Sequence, residues 1–461
     1  MTEPKLPLPG EDLGLFTDLY ELTMSQAFLR QGMSAEATFS LFTRTYPVNR
    51  AYFVSAGLED VLDYLSNLNF SDRSVDYLRA TGIFNDDFLD YLLGFRFTGS
   101  VRAIPEGRLY FAGEPAVEVT APLIQAQIAE TFIINQVNLQ SMLATKASRC
   151  VWAAQGRGVA DFASRRTQGT DAALKMARAS YIAGFNSTSN VLAANLYGMP
   201  PTGTMAHSFI SSFDSELNAF RAYAESFPDR TVLLVDTYDT VAGTWNAVTV
   251  GKEMEAKGQK LTAVRLDSGD FDELSRQVRR ILDESGLDHV KILASGGLDE
   301  YELEKLVKAG APIDMFGVGT KAGVSADAPW TDMAYKLVSY DGRPVMKLST
   351  DKVSLPGAKQ VYRTKGAGGM FAKDIIAMAE EELPGGLPVL EEVMKDGRRV
   401  GPAATLEEVR RRFQEDFGLL DDRFKALSNP PRYPVGISGR LERLTSAVRE
   451  EAMGVNVSDS D

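Results

Sequence analysis

The chain has 461 residues, of which 44% are hydrophobic and 24% are charged, and its formal net charge is −13. A chain of this length exceeds what one hydrophobic core usually holds, so we expect two or more domains of an ordinary globular enzyme. The acidic balance argues against a general binder of nucleic acid or of anionic membranes, and it still allows a local basic pocket for a small anion.

The single cysteine, Cys150, excludes an intrachain disulfide and a Cys/His metal cluster. A reducing cytoplasm is therefore the predicted location. The first ten residues, MTEPKLPLPG, show no signal-peptide pattern, and no stretch approaches the roughly 20 apolar residues needed to cross a bilayer. We expect no membrane association.

The first third of the chain mixes helical and strand-like segments. Residues 1–10, with three prolines, are predicted to form a flexible leader. Apolar spacing then predicts helices over 12–30, 58–68, 74–95 and 124–152, a strand over 37–44, and strand-like structure broken by two turns over 99–120.

From residue 159 onward, short apolar runs end in Asp, Arg or Gly and precede amphipathic helices. The runs are TVLLVDTYDT (231–240), LTAVRLDSGD (261–270), HVKILASGGL (289–298) and IDMFGVGT (313–320). Asp236, Asp267, Gly296 and Gly319 follow one another at intervals of 31, 29 and 23 residues, the period of successive βαβ units. This pattern predicts parallel strands covered by helices, in a barrel or an open doubly wound sheet.

The last part of the chain returns to strands and ends in helix. We predict a hairpin over 335–349 with Asp341-Gly342 in the turn, a strand over 352–363, a helix over 404–426 and a fraying tail over 455–461. The predicted fold is α/β: an irregular (β/α) barrel plus a discontinuous α+β domain built from N-terminal and post-barrel segments. The predicted boundaries are 1–140 with 335–400, 141–334, and a C-terminal helical segment over 401–461.

Residues 161–209 concentrate side chains suited to a small, flat anion. Phe162 precedes Arg165 and Arg166, residues 186–190 are rich in hydroxyls, and His207 is one of two histidines in the chain. An arginine fork matches a carboxylate, and imidazole acts as acid, base or nucleophile near neutral pH. From the residues alone, a structural histidine and a solvated arginine pair remain the alternative.

The predicted strand ends carry a second set of polar residues. Asp236, Arg265 and Asp267 end two of the runs, whereas glycine pairs end the next two. Glycines allow backbone N–H groups to approach a phosphate, and carboxylates hold sugar hydroxyls or a Mg²⁺ bound to a diphosphate. Either glycine pair alone indicates a plain turn, but the combination favours a site for a phosphorylated sugar.

Eight segments, in order over residues 12–365, resemble nicotinate phosphoribosyltransferase, a type II phosphoribosyltransferase. They are FTDLYELTM (16–24), SRRTQG (164–169), GFNSTSNV (184–191), GTMAHSF (203–209), VDTYDT (235–240), VRLDSGD (264–270), FGVGTK (316–321) and LPGAKQVYR (355–363). The resemblance implies transfer of phosphoribose from phosphoribosyl pyrophosphate to nicotinate. It also implies ATP hydrolysis coupled through a phosphorylated histidine, Mg²⁺ carried by the diphosphate with no direct protein metal site, and a homodimer with shared active sites.

The resemblance assigns roles residue by residue, and the motif places the phosphorylated histidine at His207. The other assignments are Tyr20 and Arg44 from the neighbouring subunit; Phe162 and Arg165 around the pyridine ring and its ribosyl partner; Thr204 near nicotinate; Arg265 and Asp267 on nicotinate and the phosphoribosyl group; Asp236 at the ribose or its Mg²⁺; and Gly297, Gly319 and Thr320 at the 5′-phosphate.

Three alternatives remain open at this stage. An enzyme for nicotinamide would want a carboxylate for the amide N–H at the turn where this chain has Ser189, so a preference for the acid is expected. A quinolinate enzyme would need a decarboxylation step and lacks ATP coupling. A non-catalytic phosphosugar-binding barrel would have no use for His207 and the polar strand ends.

Overall fold

The computed structural model describes residues 10–349 and 354–458, with the side chains of 10–12 and 455–458 left out. Residues 1–9 of the predicted leader and 459–461 of the predicted fraying tail lie outside the described residues, whereas 455–458 of that tail form the end of a helix. The chain divides into two compact units: a first unit up to Ala144 and from Trp330 onward, and a second unit from Thr145 to Pro329. The domain boundaries predicted from the sequence stay a prediction.

The strands of both units are numbered here in chain order. They are β1 (Glu36–Thr43), β2 (Phe53–Val54), β3 (Ser100–Ala103), β4 (Leu109–Tyr110), β5 (Pro115–Pro122), β6 (Gly158–Asp161), β7 (Ser187–Thr188), β8 (Val232–Leu234), β9 (Ala263–Leu266), β10 (Lys291–Ser295), β11 (Met315–Val318), β12 (Met333–Tyr340), β13 (Arg343–Pro344), β14 (Lys359–Lys365), β15 (Phe371–Met378), β16 (Leu387–Pro388), β17 (Glu391–Lys395), β18 (Arg398–Arg399) and β19 (Val435–Ile437).

The α-helices are numbered in the same way. They are α1 (Leu19–Arg30), α2 (Leu58–Asn67), α3 (Asp72–Ala80), α4 (Asp86–Leu93), α5 (Leu123–Ile128), α6 (Glu130–Ala154), α7 (Thr170–Ile182), α8 (Val191–Tyr197), α9 (His207–Ser211), α10 (Glu216–Ser226), α11 (Thr240–Glu255), α12 (Phe271–Glu284), α13 (Glu300–Lys308), α14 (Thr320–Gly323), α15 (Leu406–Leu419), α16 (Asp422–Lys425) and α17 (Gly439–Ser458). No helix among the described residues is long and apolar enough to cross a membrane.

The second unit is built on one parallel sheet with the strand order β7-β6-β11-β10-β9-β8. Its central strands are buried almost throughout, as expected for a parallel sheet covered by helices. The covering helix α12 turns Val278 and Leu282 inward and begins at Asp270, whose side chain caps it. The curled sheet confirms the predicted irregular α/β barrel, in the form of a half-barrel.

The first unit contains an antiparallel sheet with the order β13-β12-β1-β5-β3-β17-β18. Strands from before the barrel pair with strands from after it, since β12 pairs with β1 and β17 pairs with β3. The predicted discontinuous α+β domain is therefore confirmed. Asp341 (φ 52°) and Gly342 (φ 72°) form the turn of the β12–β13 hairpin, as their sequence predicts.

Several predicted helices are shorter than expected. The predicted helix over 12–30 starts only at α1, because residues Gly10–Leu15 form a separate 3₁₀ turn. The predicted helix over 74–95 is two helices, because the backbone turns at Gly82 (φ 68°) and the Asn85 side chain caps α4. The predicted helices over 124–152 and 404–426 are each divided as well, into α5 and α6 and into α15 and α16.

Glu21 on α1 is a buried carboxyl group, and its titration should make the stability of the protein depend on pH. It accepts hydrogen bonds from the backbone and hydroxyl of Thr131 at 3.1 and 2.6 Å and from Thr17, with Asp18 and Glu130 as acidic neighbours. Burial raises the pKa of Glu21 to about 7. In the unfolded chain the carboxyl titrates near 4.5, so the folded state loses stability as the pH rises from 4.5 through 7.

We therefore expect Glu21→Gln to become more stable relative to the unmodified protein as the pH rises from 5 to 8. The expected change in this difference is about 2 kcal/mol in the free energy of unfolding, because one pKa unit corresponds to about 1.4 kcal/mol. Urea unfolding at both pH values measures it, with the exposed Glu36→Gln as control. An equal difference at pH 5 and pH 8 would contradict the assignment.

Candidate active site

The carboxyl ends of the parallel strands bring the predicted residues of the second unit to one edge of the sheet. Phe162 follows β6, Ser189 follows β7, Asp236 lies two residues after β8, and Asp267 follows β9. The glycines come after the last two strands: Gly297 lies two residues past β10, and Gly319 follows β11. Catalytic residues of barrel enzymes collect at this edge because parallel strands all end there.

Arg265, on β9, is the centre of the site. Its Nη2 donates to Asp267 Oδ1 at 2.6 Å, and its Nη1 donates to Thr204 Oγ1 at 3.0 Å. The guanidinium carbon lies 5.5 Å from the centroid of the Phe162 ring, within the range of a cation–π contact. The structure thus brings Phe162 and Thr204, from distant parts of the sequence, to Arg265 and Asp267.

Asp267 links Arg265 to the histidine. Its Oδ2 lies 3.8 Å from His207 Nε2, while its backbone N–H donates to Asp236 Oδ2 at 2.9 Å. Burial raises the pKa of Asp267, but the hydrogen bond from Ser295 and the charge of Arg265 outweigh it, so the pKa lies below its usual range. Asp267 is therefore a carboxylate at neutral pH.

His207 is the first residue of the short helix α9, and its side chain is 45% exposed. Its Nδ1 lies 3.1 Å from the hydroxyl oxygen of Thr237, and its Nε2 faces Asp267. Both ring nitrogens thus have a polar neighbour that fixes the plane of the imidazole, while the ring edge stays accessible. This arrangement suits a reactive histidine better than a buried structural one.

Asp236 has one oxygen engaged and one without a partner. Oδ2 accepts hydrogen bonds from the Asp267 backbone and from the Ser268 hydroxyl at 2.6 Å. Oδ1 is buried and accepts no hydrogen bond from any described protein group. A buried acceptor of this kind is usually satisfied by a bound species.

Phe162 follows Asp161, a buried carboxyl group, and its ring packs against Gly317, which has no side chain. The Asp161 carboxylate accepts hydrogen bonds from the Ala163 N–H at 2.8 Å and the Thr188 hydroxyl at 2.7 Å, and burial raises its pKa. A Cβ atom on Gly317 would lie 2.5 Å from the Phe162 ring. Gly317 in the FGVGTK segment therefore makes room for this ring, a role that the sequence pattern did not reveal.

Gly296 and Gly297 border a cavity of about 530 Å³. Gly296 (φ 100°) packs against the Asp267 carbonyl, whereas Gly297 (φ 69°) has open space where a Cβ would stand. The lining also includes Lys305 and Lys321, together with Asp270, Asp272 and Glu302, so the cavity carries charges of both signs. The open backbone at Gly297 and the two ammonium groups are the features that suit a phosphate. Gly319 and Thr320 lie one strand further on, at the start of α14.

Arg165 and Ser189 line a second cavity of about 550 Å³. Arg165 belongs to the 3₁₀ turn Ser164–Arg166, and Ser189 donates its backbone N–H to the Asp161 carbonyl at 2.8 Å. The hydroxyl-rich turn and Arg165 are therefore neighbours, whereas the lining of this cavity includes neither Arg265 nor His207.

Tyr20 and Arg44 belong to the first unit. Tyr20 lies on α1 and is 45% exposed, and Arg44 follows β1 and forms an ion pair with Asp332 at 2.6 Å. Their contribution to the site stays a prediction, as do the roles assigned to each residue of the second unit.

Two residues that contact the predicted site residues were not themselves predicted to belong to the site. Thr237 contacts His207, and Ser295 contacts both Arg265 and Asp267. Each is the neighbour of a predicted residue inside a quoted run, at a strand end. Their position at a strand end could have indicated a role in the site. An uncharged hydroxyl group at such a position is common, however, and does not by itself indicate a site residue.

The parallel α/β sheet, with arginine, carboxylates, histidine and open glycines along its carboxyl edge, defines an α/β-barrel enzyme for small phosphorylated molecules. Comparison with known proteins gives the family. The chain matches the nicotinate phosphoribosyltransferase N-terminal domain over residues 15–138, the nicotinate phosphoribosyltransferase family over 158–354, and its C-terminal domain over 387–445.

Individual relatives agree over almost the whole length. A nicotinate phosphoribosyltransferase of Mycobacterium tuberculosis is 49% identical over 444 residues, 95% of each chain. That of Bacillus subtilis is 36% identical over 482 residues, covering 96% of this chain and 98% of that one. The crystal structure of human nicotinic acid phosphoribosyltransferase matches with a TM-score of 0.85 at 29% identity, over 94% of this chain and 99% of that one. The chain belongs to the nicotinate phosphoribosyltransferase family, which confirms the resemblance seen in its sequence.

Proposed function

We propose that this protein transfers the 5-phosphoribosyl group from phosphoribosyl pyrophosphate to nicotinate, forming nicotinate mononucleotide and pyrophosphate. The product is a nucleotide precursor of NAD, so the reaction belongs to salvage of the pyridine ring. Beside the family membership, one observation carries the proposal: Arg265 lies over Phe162 and beside Thr204 at the edge of the sheet where the phosphate cavity also opens.

The transfer needs positioning and charge stabilisation more than a protein nucleophile. The ring nitrogen attacks the anomeric carbon, the new N–C bond forms, and the C–O bond to pyrophosphate breaks. Phe162 would offer a flat face to the pyridine ring, and Arg265 with Thr204 would bind its carboxylate. Arg165 would stabilise negative charge on the phosphoribosyl side.

The phosphates of the sugar donor would occupy the glycine-bordered cavity and its neighbourhood. Gly297 offers backbone without a covering side chain, and Gly319 and Thr320 begin α14 after the neighbouring strand β11. Lys321 in the cavity lining already forms an ion pair with Asp299 at 2.9 Å, so its ammonium group is held in the cavity wall. These groups together suit the 5′-phosphate.

We further propose that ATP is a co-substrate and phosphorylates His207. A bond from the imidazole to the γ-phosphorus forms while the bond to the β,γ-bridging oxygen breaks and ADP leaves. Water later hydrolyses the phosphohistidine to phosphate. The exposed ring edge and the contacts to Thr237 and Asp267 support this role, because they orient the ring without covering it.

Mg²⁺ would enter with the diphosphate. Among the described residues no group of three or more His, Cys, Asp or Glu side chains is arranged to hold a metal ion. The buried, unpartnered Oδ1 of Asp236 nonetheless fits a Mg²⁺ that takes most of its ligands from phosphate and water. When bound, the ion would neutralise charge on the departing pyrophosphate.

We also propose that the protein is a homodimer located in the cytoplasm. Tyr20 and Arg44 would reach the site of a second copy, and Leu19, Tyr20 and Met24 of α1 are exposed apolar or aromatic side chains suited to an interface. The buried thiol of Cys150, whose pKa burial raises, is compatible with a reducing compartment but does not require one.

Product formation from nicotinate, nicotinamide and quinolinate, each with phosphoribosyl pyrophosphate and Mg²⁺ and with or without ATP, tests the function. We expect nicotinate mononucleotide with an ATP-dependent yield, and little product from nicotinamide, since Ser189 offers no carboxylate. Equal turnover of nicotinamide would overturn the acid preference. Release of CO₂ would indicate the quinolinate reaction, and binding without turnover a non-catalytic barrel.

A further inference from the structure

Ser295 is a buried hydroxyl at the centre of the site, only 2% exposed. Its Oγ accepts a hydrogen bond from Arg265 Nε at 2.7 Å and lies 2.5 Å from Asp267 Oδ1. A serine hydroxyl has one proton to donate, and the carbonyl of Leu266 is a more distant acceptor at 3.5 Å. The Ser295 proton therefore points to Asp267, and its oxygen is fixed toward Arg265.

The guanidinium of Arg265 has almost no free donors. Of its five N–H groups, Nε–H donates to Ser295, the two on Nη1 face Thr204 Oγ1 and the Met205 carbonyl at 3.3 Å, and one on Nη2 donates to Asp267. Within the described residues this leaves one N–H, on Nη2, for a ligand. A carboxylate therefore does not receive a two-pronged fork from Arg265 as arranged, so the direction of the remaining N–H matters for recognition.

The Ser295 hydroxyl also influences His207, because it bonds the carboxylate of Asp267. Asp267 Oδ1 takes the Ser295 and Arg265 donors, which turns Oδ2 toward His207 Nε2. Ser295 thus touches the group that would bind the substrate carboxylate and the group that orients the proposed phosphohistidine. Arg265 and Asp267 also bond each other directly, and the Ser295 hydroxyl adds a second link that helps to fix the orientation of both side chains.

We propose that Ser295 is a positioning residue that couples the pyridine-binding side of the site, through Arg265, to the histidine side, through Asp267. This inference rests on the proposed function. Removing the hydroxyl leaves the Arg265 Nε–H without its acceptor and Asp267 with one donor fewer, so both side chains gain freedom. The KM for nicotinate then rises about tenfold to a hundredfold, as for a lost hydrogen bond to a charged group, and more ATP is hydrolysed per product formed.

The experiment compares Ser295→Ala and Ser295→Cys in the full-length protein with the exposed Ser226→Ala on α10 as matched control. The measured quantities are the KM for nicotinate, the KM for phosphoribosyl pyrophosphate, kcat, the ratio of ADP to nicotinate mononucleotide, and the melting temperature. Ser295→Ala and Ser295→Cys should both raise the nicotinate KM and the ADP ratio, because sulfur is a weak hydrogen-bonding group. The KM for phosphoribosyl pyrophosphate should rise less than the KM for nicotinate, and the Ser226→Ala values should stay unchanged.

Two outcomes overturn the inference. Normal KM and ADP ratio in Ser295→Ala show that the hydroxyl positions nothing. A normal Ser295→Cys beside an impaired Ser295→Ala shows that only the volume of the side chain matters. If the unmodified protein itself shows no ATP dependence, the proposed role of ATP is wrong for a separate reason. The difference between the effects on the two KM values then still tests whether Ser295 positions Arg265.

Discussion

Arg265→Met is expected to lower kcat/KM for nicotinate by about a thousandfold, equivalent to roughly 4 kcal/mol of transition-state stabilisation. The change removes the cation beside Phe162 and Thr204 that would bind the substrate carboxylate. Nicotinamide lacks this charge, so its small residual turnover should fall less than that of nicotinate. Steady-state kinetics with both bases measure the two ratios.

The control for this substitution is Arg221→Met, which removes an exposed arginine of α10 paired with Glu253 at 2.6 Å. Because Arg265→Met also leaves Asp267 without its cation, the melting temperature of each variant must be compared before the kinetics are interpreted. Arg265→Lys should recover only part of the activity, since an ammonium group cannot reproduce the planar set of donors. A fully active Arg265→Met would exclude this residue as the carboxylate partner.

The alternating order of short apolar runs and amphipathic helices was sufficient to predict the parallel sheet. Once the strands are parallel, their ends must share one edge, so Asp236, Asp267 and Gly297 could be expected near one another before any coordinates were known. The hairpin at Asp341-Gly342 was predictable for a local reason, since that pair adopts the positive φ angles of a tight turn. The turn-forming residues and the spacing of the apolar runs can both be read from the sequence itself.

Contacts across the sheet could not be predicted in the same way. Gly317 makes room for Phe162, which lies 155 positions earlier in the chain, and a glycine in a strand gives no sign of what it faces. Ser295 bonds two residues on the neighbouring strand through a hydroxyl that looks ordinary in the sequence. Such roles arise from strand pairing and register, which a single sequence does not specify.

The LPGAKQVYR segment is one of those that resemble the family, but the resemblance does not say what its residues do. Its last residue, Arg363, is buried in the first unit, bonded to Asp374 at 2.6 Å and positioned over the Phe371 ring at 4.7 Å. Asp374 neutralises the guanidinium inside the core, where an unpaired charge would be strongly destabilising. Arg363, in a segment that carries the family resemblance, is thus part of the core of the first unit.

His207→Ala is expected to abolish ATP-dependent turnover while a slow, ATP-independent transfer remains. The substitution removes the only proposed phosphoryl acceptor, but it leaves Arg265, Ser295 and the glycine-bordered cavity in place. The measurements are incorporation of the labelled γ-phosphoryl group of ATP into protein, in an acid-labile and alkali-stable form, and ADP formed per nicotinate mononucleotide. Both should fall to background in the variant.

The chain supplies its own control, because its other histidine, His289, lies exposed just before β10. His289→Ala should incorporate label and couple ATP as the unmodified protein does. Continued ADP formation in step with product in His207→Ala would show that ATP acts without this imidazole. Loss of all transfer, with the fold intact, would instead place His207 in the transfer step itself, where it would have to contact pyrophosphate or ribose. The geometry favours coupling, because Asp267 stands between His207 and the Arg265 that would bind the pyridine carboxylate.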